Sequence, residues 1–359
     1  MKRIHISKRK CIWFGSALLA LLLALLLEGI SDRMSGGLKS QQMAARWSEK
    51  RDVAQISCFF AAGSNVTPDT FVAFEHGLDS ALMEASITLD GKNPGARLWV
   101  DAYSAPGEIF LQSDYGSVQS RALGVGGDFF LFHPLKLLAG NYFSGDTLNQ
   151  DYCMLDQDLA WQLYGSNDVA GKYLSVNDQL LVISGVVERP QGKLYTAAGL
   201  EKPLVYLPYE TLQKLGKCGE INHYEILMPN PVEGFAGKIV EEKIGVSGEQ
   251  TEIINNSERY GFLQRLTLWT KLYTRSMNGK AIIYPYWENI ARYYEDVLAR
   301  ISVVILACIA YAVLVLLALI VIWYRHRTWT ASIVIRKLQD KIYDLRTKPL
   351  NKKGERKKK

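Results

Sequence analysis

Two stretches of this sequence carry no charged residue: residues 11–27, which end in LLALLLALLL over 18–27, and residues 301–324. A spanning helix needs ~20 predominantly apolar residues, which the first stretch reaches with its flanks. The second would extend over roughly 36 Å at ~1.5 Å per residue. Both therefore read as transmembrane helices, over residues 11–30 and 301–324. The basic start (Lys2, Arg3, Lys8, Arg9, Lys10) also suits a cleaved signal peptide. However, Leu27-Glu28-Gly29-Ile30-Ser31 offers no small-x-small cleavage site, so an uncleaved anchor is the better reading.

Between the anchors the apolar positions follow shorter periods. Residues 53–60 are β-prone. Thr67-Pro68 is a helix start, an N-cap followed by proline in the first turn. That helix should run to about Met83, with Phe71, Phe74, Leu78 and Leu82 on one face. Residues 85–89 and 98–103 read as strands around the turn-rich stretch 90–95. Residues 109–112 and 118–125 read as a hairpin about Asp114-Tyr115-Gly116. A helix over 155–164 should end at Gly165 as a left-handed cap. Residues 173–176 and 180–187 form a second hairpin about Asn177-Asp178. A strand at 204–207, a helix at 209–215 opened by Pro208, a strand at 224–228, a helix at 235–244 and a strand at 252–254 complete the pattern. This mixture predicts an α+β extracytoplasmic domain flanked by two membrane helices.

The approach to the second anchor differs. Pro285 suits a first helical turn, and nothing from Tyr286 to Tyr324 breaks the helix. Glu288 with Arg292, Arg292 with Asp296, and Asp296 with Arg300 are four apart and support one helical face. Trp287, Tyr293 and Tyr294 would lie at an outer aromatic belt, and Trp323 and Tyr324 at an inner one. Pro285, Trp287, Glu288, Arg292, Asp296 and Arg300 thus define a coupling neck, able to transmit displacement between the membrane and the outer domain.

Charge sets the expected direction. Residues 1–10 carry +5 and residues 325–359 carry +10, which leaves −9 of the whole-chain +6 for the segment between. Lys and Arg close to membrane helices stay on the cytoplasmic side. Both termini should therefore be cytoplasmic and residues 29–300 extracytoplasmic, in the cell membrane. The basic tails suit anionic lipid headgroups, and the acidic outer segment argues against a nucleic-acid partner. Of five cysteines, Cys58, Cys153 and Cys218 would lie outside. Three is odd, so the fold should not depend on a disulfide framework.

The chain lacks the signatures of chemistry. Its nearest approach to a nucleotide-binding loop, Gly165 to Lys172, has the wrong spacing and Tyr173 where a metal-binding hydroxyl belongs. His5, His76, His133, His223 and His326 are scattered, which predicts no metal site. No G-x-S-x-G nucleophile turn occurs. Neither a catalytic function nor a cofactor is expected.

Two linked stretches resemble the extracytoplasmic core domain of MacB-type ABC permeases. The first is Gly124-Val125-Gly126-Gly127-Asp128-Phe129-Phe130 with Pro134 to Phe143, including Leu137-Leu138-Ala139-Gly140. The second is Leu159-Ala160-Trp161-Gln162-Leu163-Tyr164-Gly165, then Asp168-Val169-Ala170-Gly171-Lys172-Tyr173-Leu174, then Val182-Ile183-Ser184-Gly185-Val186-Val187. Val205-Tyr206-Leu207-Pro208-Tyr209 fits the family's strand-to-helix step. Gly140, Leu163, Gly165, Gly171, Lys172 and Gly185 would be structural motif positions.

The resemblance implies two lobes. A motif-bearing lobe (106–189) would be inserted into a porter-like lobe (45–105 and 190–260), followed by a helical neck (261–300) and a basic tail (325–359). Family members have four membrane helices and this sequence shows two. The expected function is therefore that of a non-catalytic membrane subunit. It would couple a separate ABC ATPase, and a MacB/FtsX-like permease chain or a homologous second copy, to movements of the outer domain. A stand-alone sensor or adhesion module using the same core domain is the alternative. Ile335, Leu338, Ile342 and Leu345 share a helical stripe that would meet a cytoplasmic partner or lie on lipid.

Overall fold

The computed structural model describes residues 8–50, 52–89, 96–144, 150–271, 280–325, 335–336 and 338–343. They divide into two units, Glu28–Val303 on one hand and Met1–Leu27 with Val304–Lys359 on the other. The turn expected at 90–95 and most of the basic tail lie outside the described residues.

In chain order, α1 (Lys8–Gly36), a 3-10 turn (Lys39–Gln41) and α2 (Met43–Trp47) precede β1 (Val53–Phe60) and α3 (Pro68–Glu84). The hairpin of β2 (Val100–Ser113) and β3 (Gly116–Gly127) leads to α4 (Phe129–Phe132), β4 (Leu137–Gly140) and β5 (Tyr152–Asp156). Next come α5 (Gln157–Tyr164) and a second hairpin, β6 (Tyr173–Val176) with β7 (Gln179–Val187). The chain continues through α6 (Lys193–Ala197), β8 (Leu204–Pro208), α7 (Tyr209–Leu215), β9 (Lys217–Cys218) and β10 (His223–Pro229). It ends in α8 (Phe235–Lys243), β11 (Thr251–Asn255), α9 (Phe262–Trp269) and α10 (Tyr286–Arg325).

The unit Glu28–Val303 is built on one mixed sheet, ordered β11-β1-β10-β2-β3-β8-β5-β7-β4, with β6 pairing both β2 and β7, and β9 pairing β2. β3 with β8 and β5 with β7 are parallel; the other pairs are antiparallel. Because β6 returns from β7 to the end of β2 through Gln112 and Ser175, the strands β2-β3-β8-β5-β7-β6 close a ring. The long β2–β3 ribbon lies in the middle of this order and joins its two halves.

Among the described residues, three large apolar clusters fill this unit, beside a small one of Phe59, Ala61 and Ile282. α3 and α8 cover β1 and β10, with Phe71, Phe74, Leu78 and Leu82 buried as the helical period requires. Thr67 and Thr70 form the reciprocal cap of α3. The inside of the ring is filled by Leu111, Leu155, Leu159, Leu163 and Val186, together with Val205, Leu207 and Leu212. The last three, assigned to the porter-like lobe on sequence, thus share a core with the motif-bearing segment. The third cluster gathers Phe129, Phe132, Tyr206 and Trp287.

Two local expectations differ. Residues 85–89 are not a strand; they close α3, with Ser86 at φ 60 and Ile87 N donating to Leu82 O at 2.9 Å. The helix expected from 155 begins later, because Tyr152–Asp156 is a buried strand whose last residue caps α5.

The other unit holds the rest of α1 and α10, each long and apolar enough as a whole to cross a membrane. Ala17 packs against Ala312 and Val315, and Ser16 Oγ lies 3.0 Å from the Tyr311 hydroxyl. Small residues at such a contact let backbones approach where no water drives association. Leu18, Leu19, Leu22, Leu25, Leu314, Leu317 and Ile320 remain exposed, as lipid-facing positions would.

Candidate functional site

The first turns of α10 do not leave the outer domain as a solvated stalk. Pro285 opens the helix, its carbonyl accepting from Glu288 N and Asn289 N at 3.1 Å each. Glu288 then faces inward and is 1% exposed. There it meets Arg259, from the segment between β11 and α9. Arg259 Nη1 donates to Glu288 Oε2 and Nη2 to Oε1, both at 2.7 Å. One turn pair further along, Glu295 accepts from Arg259 Nε at 2.8 Å and Nη2 at 3.0 Å. Asn256 Oδ1 accepts from Nη1 at 3.2 Å. All five guanidinium N–H groups are thereby used, the condition under which a buried arginine is tolerated. Burial alone would lower the Arg259 pKa, but Glu288 and the other neighbours outweigh it and hold it well above the ordinary range.

Arg292 extends the network. Its Nε donates to Glu288 Oε1 at 2.8 Å, the pairing expected from the four-residue spacing. Its Nη2 reaches Glu252 on β11 at 2.6 Å, and the guanidinium lies 3.8 Å from the Tyr284 ring centroid. Tyr284 OH donates to the other Glu252 oxygen. Burial pushes the Glu252 carboxyl up; Tyr284 and Arg292 outweigh this and bring it below the usual carboxylate range.

The end of α1 is held in a matching way. Glu28 accepts from Arg265 Nη2, whose side chain is 3% exposed. Arg265 lies six positions after Arg259. One short segment, 256–265, therefore carries a buried arginine for each membrane-type helix.

Trp287 takes a different place from the one its sequence context suggests. It is 5% exposed. Its ring lies 4.3 Å from His133, 5.3 Å from His223 and 5.7 Å from Phe129, so it is core and not an interfacial belt residue. Tyr293 is exposed. Of the other neck positions, Arg300 is exposed and Asp296 half-buried.

Beneath Trp287 two of the histidines read as scattered come together. His133 follows α4; His223 and Glu225 lie on β10. His133 Nε2 is 3.3 Å from Glu225 Oε2, and His223 Nε2 is 3.2 Å from Oε1. Ser57 Oγ donates to Oε1 at 2.8 Å. Burial, with the charge of Arg46 acting in the same direction, keeps the His133 pKa below its ordinary value. Burial pushes the Glu225 carboxyl up, yet the two imidazoles outweigh it and hold it well below the usual range.

The motif positions sit in and beside the ring. Gly165 adopts φ 67 and caps α5. Gly140 pairs with Gly185 across β4 and β7. A Cβ on Gly140 would lie 2.1 Å from Ser184 O, and one on Gly185 would lie 2.9 Å from Ala139 O. Leu163 is buried, Gly171 is exposed, and Lys172 is exposed with Nζ 5.4 Å from the Tyr164 ring centroid. In the other unit, Ile335, Leu338 and Ile342 are helical and exposed, and Leu345 lies outside the described residues. Cys58 and Cys153 are buried, and all five cysteines are free thiols.

Sequence reasoning found Glu288 and Arg292 through their spacing. It missed Arg259, Arg265, Glu252 and Glu295, which no local period connects. The available signal was an arginine in the turn after β11 and another in α9, with acids on the flanks of the anchors.

A family model described as the MacB-like periplasmic core domain matches residues 22–231. Among solved structures, the periplasmic region of MacB from Actinobacillus actinomycetemcomitans aligns at 14% identity and a TM-score of 0.39, covering 61% of this chain and 92% of that one. The extracellular domain of the noncanonic ABC-type transporter YknZ from Gram-positive bacteria aligns at 13% identity and a TM-score of 0.37, covering 56% and 100%. A domain of a putative permease protein from Porphyromonas gingivalis aligns at 15% identity and a TM-score of 0.32, covering 56% and 89%. No curated protein matches the chain.

Proposed function

Because this chain belongs to the MacB-like periplasmic core domain family, we propose that it is a non-catalytic membrane subunit of a MacB/FtsX-type ABC transporter system. Residues 29–300 lie outside the cytoplasm and both termini inside, as the Lys/Arg bias of the two ends favours. A separate cytosolic ABC ATPase supplies the energy. A permease chain of the same type, or a second copy of this one, completes the membrane part. The stripe of Ile335, Leu338, Ile342 and Leu345 is the contact offered to the ATPase or to lipid. Movement of α10 is passed to the outer domain through the neck, and the outer domain expels a substrate or actuates an envelope partner.

The observation that carries this reading is the pair of buried arginines on segment 256–265, Arg259 on Glu288 and Glu295, and Arg265 on Glu28. Leaving one partner of a buried ion pair uncompensated costs about 3–5 kcal/mol, so either helix end carries that segment with it when it moves. A simple tether needs no such clamp.

The test breaks the helix beyond the clamp. Arg300→Gly together with Ile301→Pro removes a helical hydrogen bond and leaves the Arg259 network untouched. The expected result is normal surface display and an unchanged outer-domain fold, with loss of the transport or envelope phenotype. Full activity in that variant would refute coupling and favour a sensor or adhesion module. Purification in mild detergent should also recover an ATPase with a nucleotide-binding loop; its consistent absence would count equally against the reading.

A further inference from the structure

The cluster of His133, His223 and Glu225 has chemistry that coupling does not use. The three residues are 2%, 1% and 0% exposed. They offer one ligand atom each within 4.8 Å of one another, a grouping made by α4 and β10 across ninety positions of sequence. Among the described residues, neither Nε2 nor Glu225 Oε2 makes a hydrogen bond of full geometry; each imidazole only faces a carboxylate oxygen at 3.3 or 3.2 Å. A buried polar group without a proper partner costs about 1–3 kcal/mol, so these converging atoms call for a shared one.

We propose that His133, His223 and Glu225 bind one divalent transition-metal cation of the zinc class. The reach fits. Zinc binds imidazole nitrogen and carboxylate oxygen at about 2.0–2.2 Å. His133 Nε2 lies 3.3 Å from Glu225 Oε2 and His223 Nε2 lies 3.2 Å from Oε1, so each imidazole faces a different oxygen and the carboxylate would meet a cation between the rings with both. Two imidazoles and one carboxylate suit zinc, cobalt or nickel, whereas calcium and magnesium prefer all-oxygen sets.

The surroundings also have the form of a metal site's outer shell. Ser57 Oγ donates to Glu225 Oε1 at 2.8 Å and itself accepts from Asn256 Nδ2 at 2.7 Å. Ser104 Oγ lies 3.4 Å from His223 Nδ1, the nitrogen that faces away from the cation. Such partners fix the tautomer and the ring orientation of a ligating histidine. The cation would join the turn after α4 to β10 directly under Trp287 and so brace the seat of α10. The proposal does not depend on the coupling reading.

The full chain in detergent, stripped with a chelator and titrated with Co2+, tests it. The wild-type chain should take up one equivalent and develop the visible ligand-field bands of a low-coordinate nitrogen/oxygen site, and Zn2+ should abolish those bands. His133→Gln and His223→Gln should remove them, and Ser104→Ala should weaken binding by about tenfold. His76→Gln, at an exposed helix position, should change nothing. Absence of bands in the wild-type chain overturns the proposal, whether or not the variants fold. So does uptake that survives both histidine substitutions. A melting temperature that responds to pH but not to metal would mark a proton-sharing cluster instead.

Discussion

At the residue scale, the two kinds of motif glycine separate cleanly. Gly140 has φ 73 and no room for a Cβ, which would meet Ser184 O at 2.1 Å and Gly185 Cα at 2.7 Å. Gly171 has φ 83 and open space. Gly171→Ala should therefore destabilise by about 1–2 kcal/mol, the left-handed penalty alone. Gly140→Ala adds a backbone collision and should exceed about 3 kcal/mol or prevent folding. Urea titrations of the two variants check the difference; equal losses would show that β4 and β7 separate easily. Asp156 gives a second prediction. Its Oδ1 accepts from Leu159 N at 2.9 Å and its Oδ2 from Leu204 N at 2.7 Å, tying α5 to β8. Asp156→Ala should cost about 2–4 kcal/mol, a lost cap plus an orphaned strand amide. Burial raises its pKa from 3.8 to about 6, against the opposing effect of those amides and Arg189. The folded state thus holds this proton more tightly than the unfolded chain. The resulting stabilisation is full below pH ~4 and is lost as pH rises through ~6. Asp156→Asn should flatten that slope in chemical denaturation measured from pH 4 to 7.

At the scale of elements, α10 is held by charge as much as by apolar packing. Glu288→Gln leaves Arg259 and Arg292 with an uncharged partner inside the domain and should cost about 3–5 kcal/mol. Arg259→Met combined with Glu288→Met and Glu295→Met should recover much of that loss, because the charges around Arg259 are then removed together while Arg292 keeps Glu252. Hydrogen exchange at residues 286–292 is the direct readout; protection unchanged in Glu288→Gln would mean that Trp287 and its neighbours seat the helix alone. The elements themselves were largely legible. Strict periods marked α3, and Asn177-Asp178 marked a hairpin whose turn residues adopt φ 46 and 64. β5 was hidden because its apolar run, Tyr-Cys-Met-Leu, merges with the helix pattern that follows. The strand order was not legible either: β8 joins β3 and β5 only through contacts far apart in sequence. Arg259 and the pair His133–His223 escaped for the same reason. Glu225 was the visible hint, an acid within the otherwise apolar strand His223–Pro229.

At the scale of the whole molecule, the reading depends on which side of the membrane each end occupies. Direct labelling from the two sides checks it. Tyr115, at the tip of the β2–β3 hairpin, is 77% exposed, and Leu338 is 54% exposed. The native thiols between the anchors should stay nearly silent toward a charged maleimide. Cys58 is buried with its pKa raised, burial pushes Cys153 up to about 12, and Cys218 sits at about 11. A thiol reacts as its thiolate, so the fraction available at neutral pH is small. Intact cells carrying Tyr115→Cys should label strongly over the wild-type background. Cells carrying Leu338→Cys should label only after the membrane is opened. Labelling of Leu338→Cys from outside would put residues 335–343 beyond the reach of a cytosolic ATPase. The buried clamp of α10 would then serve to hold a surface domain and not to drive it.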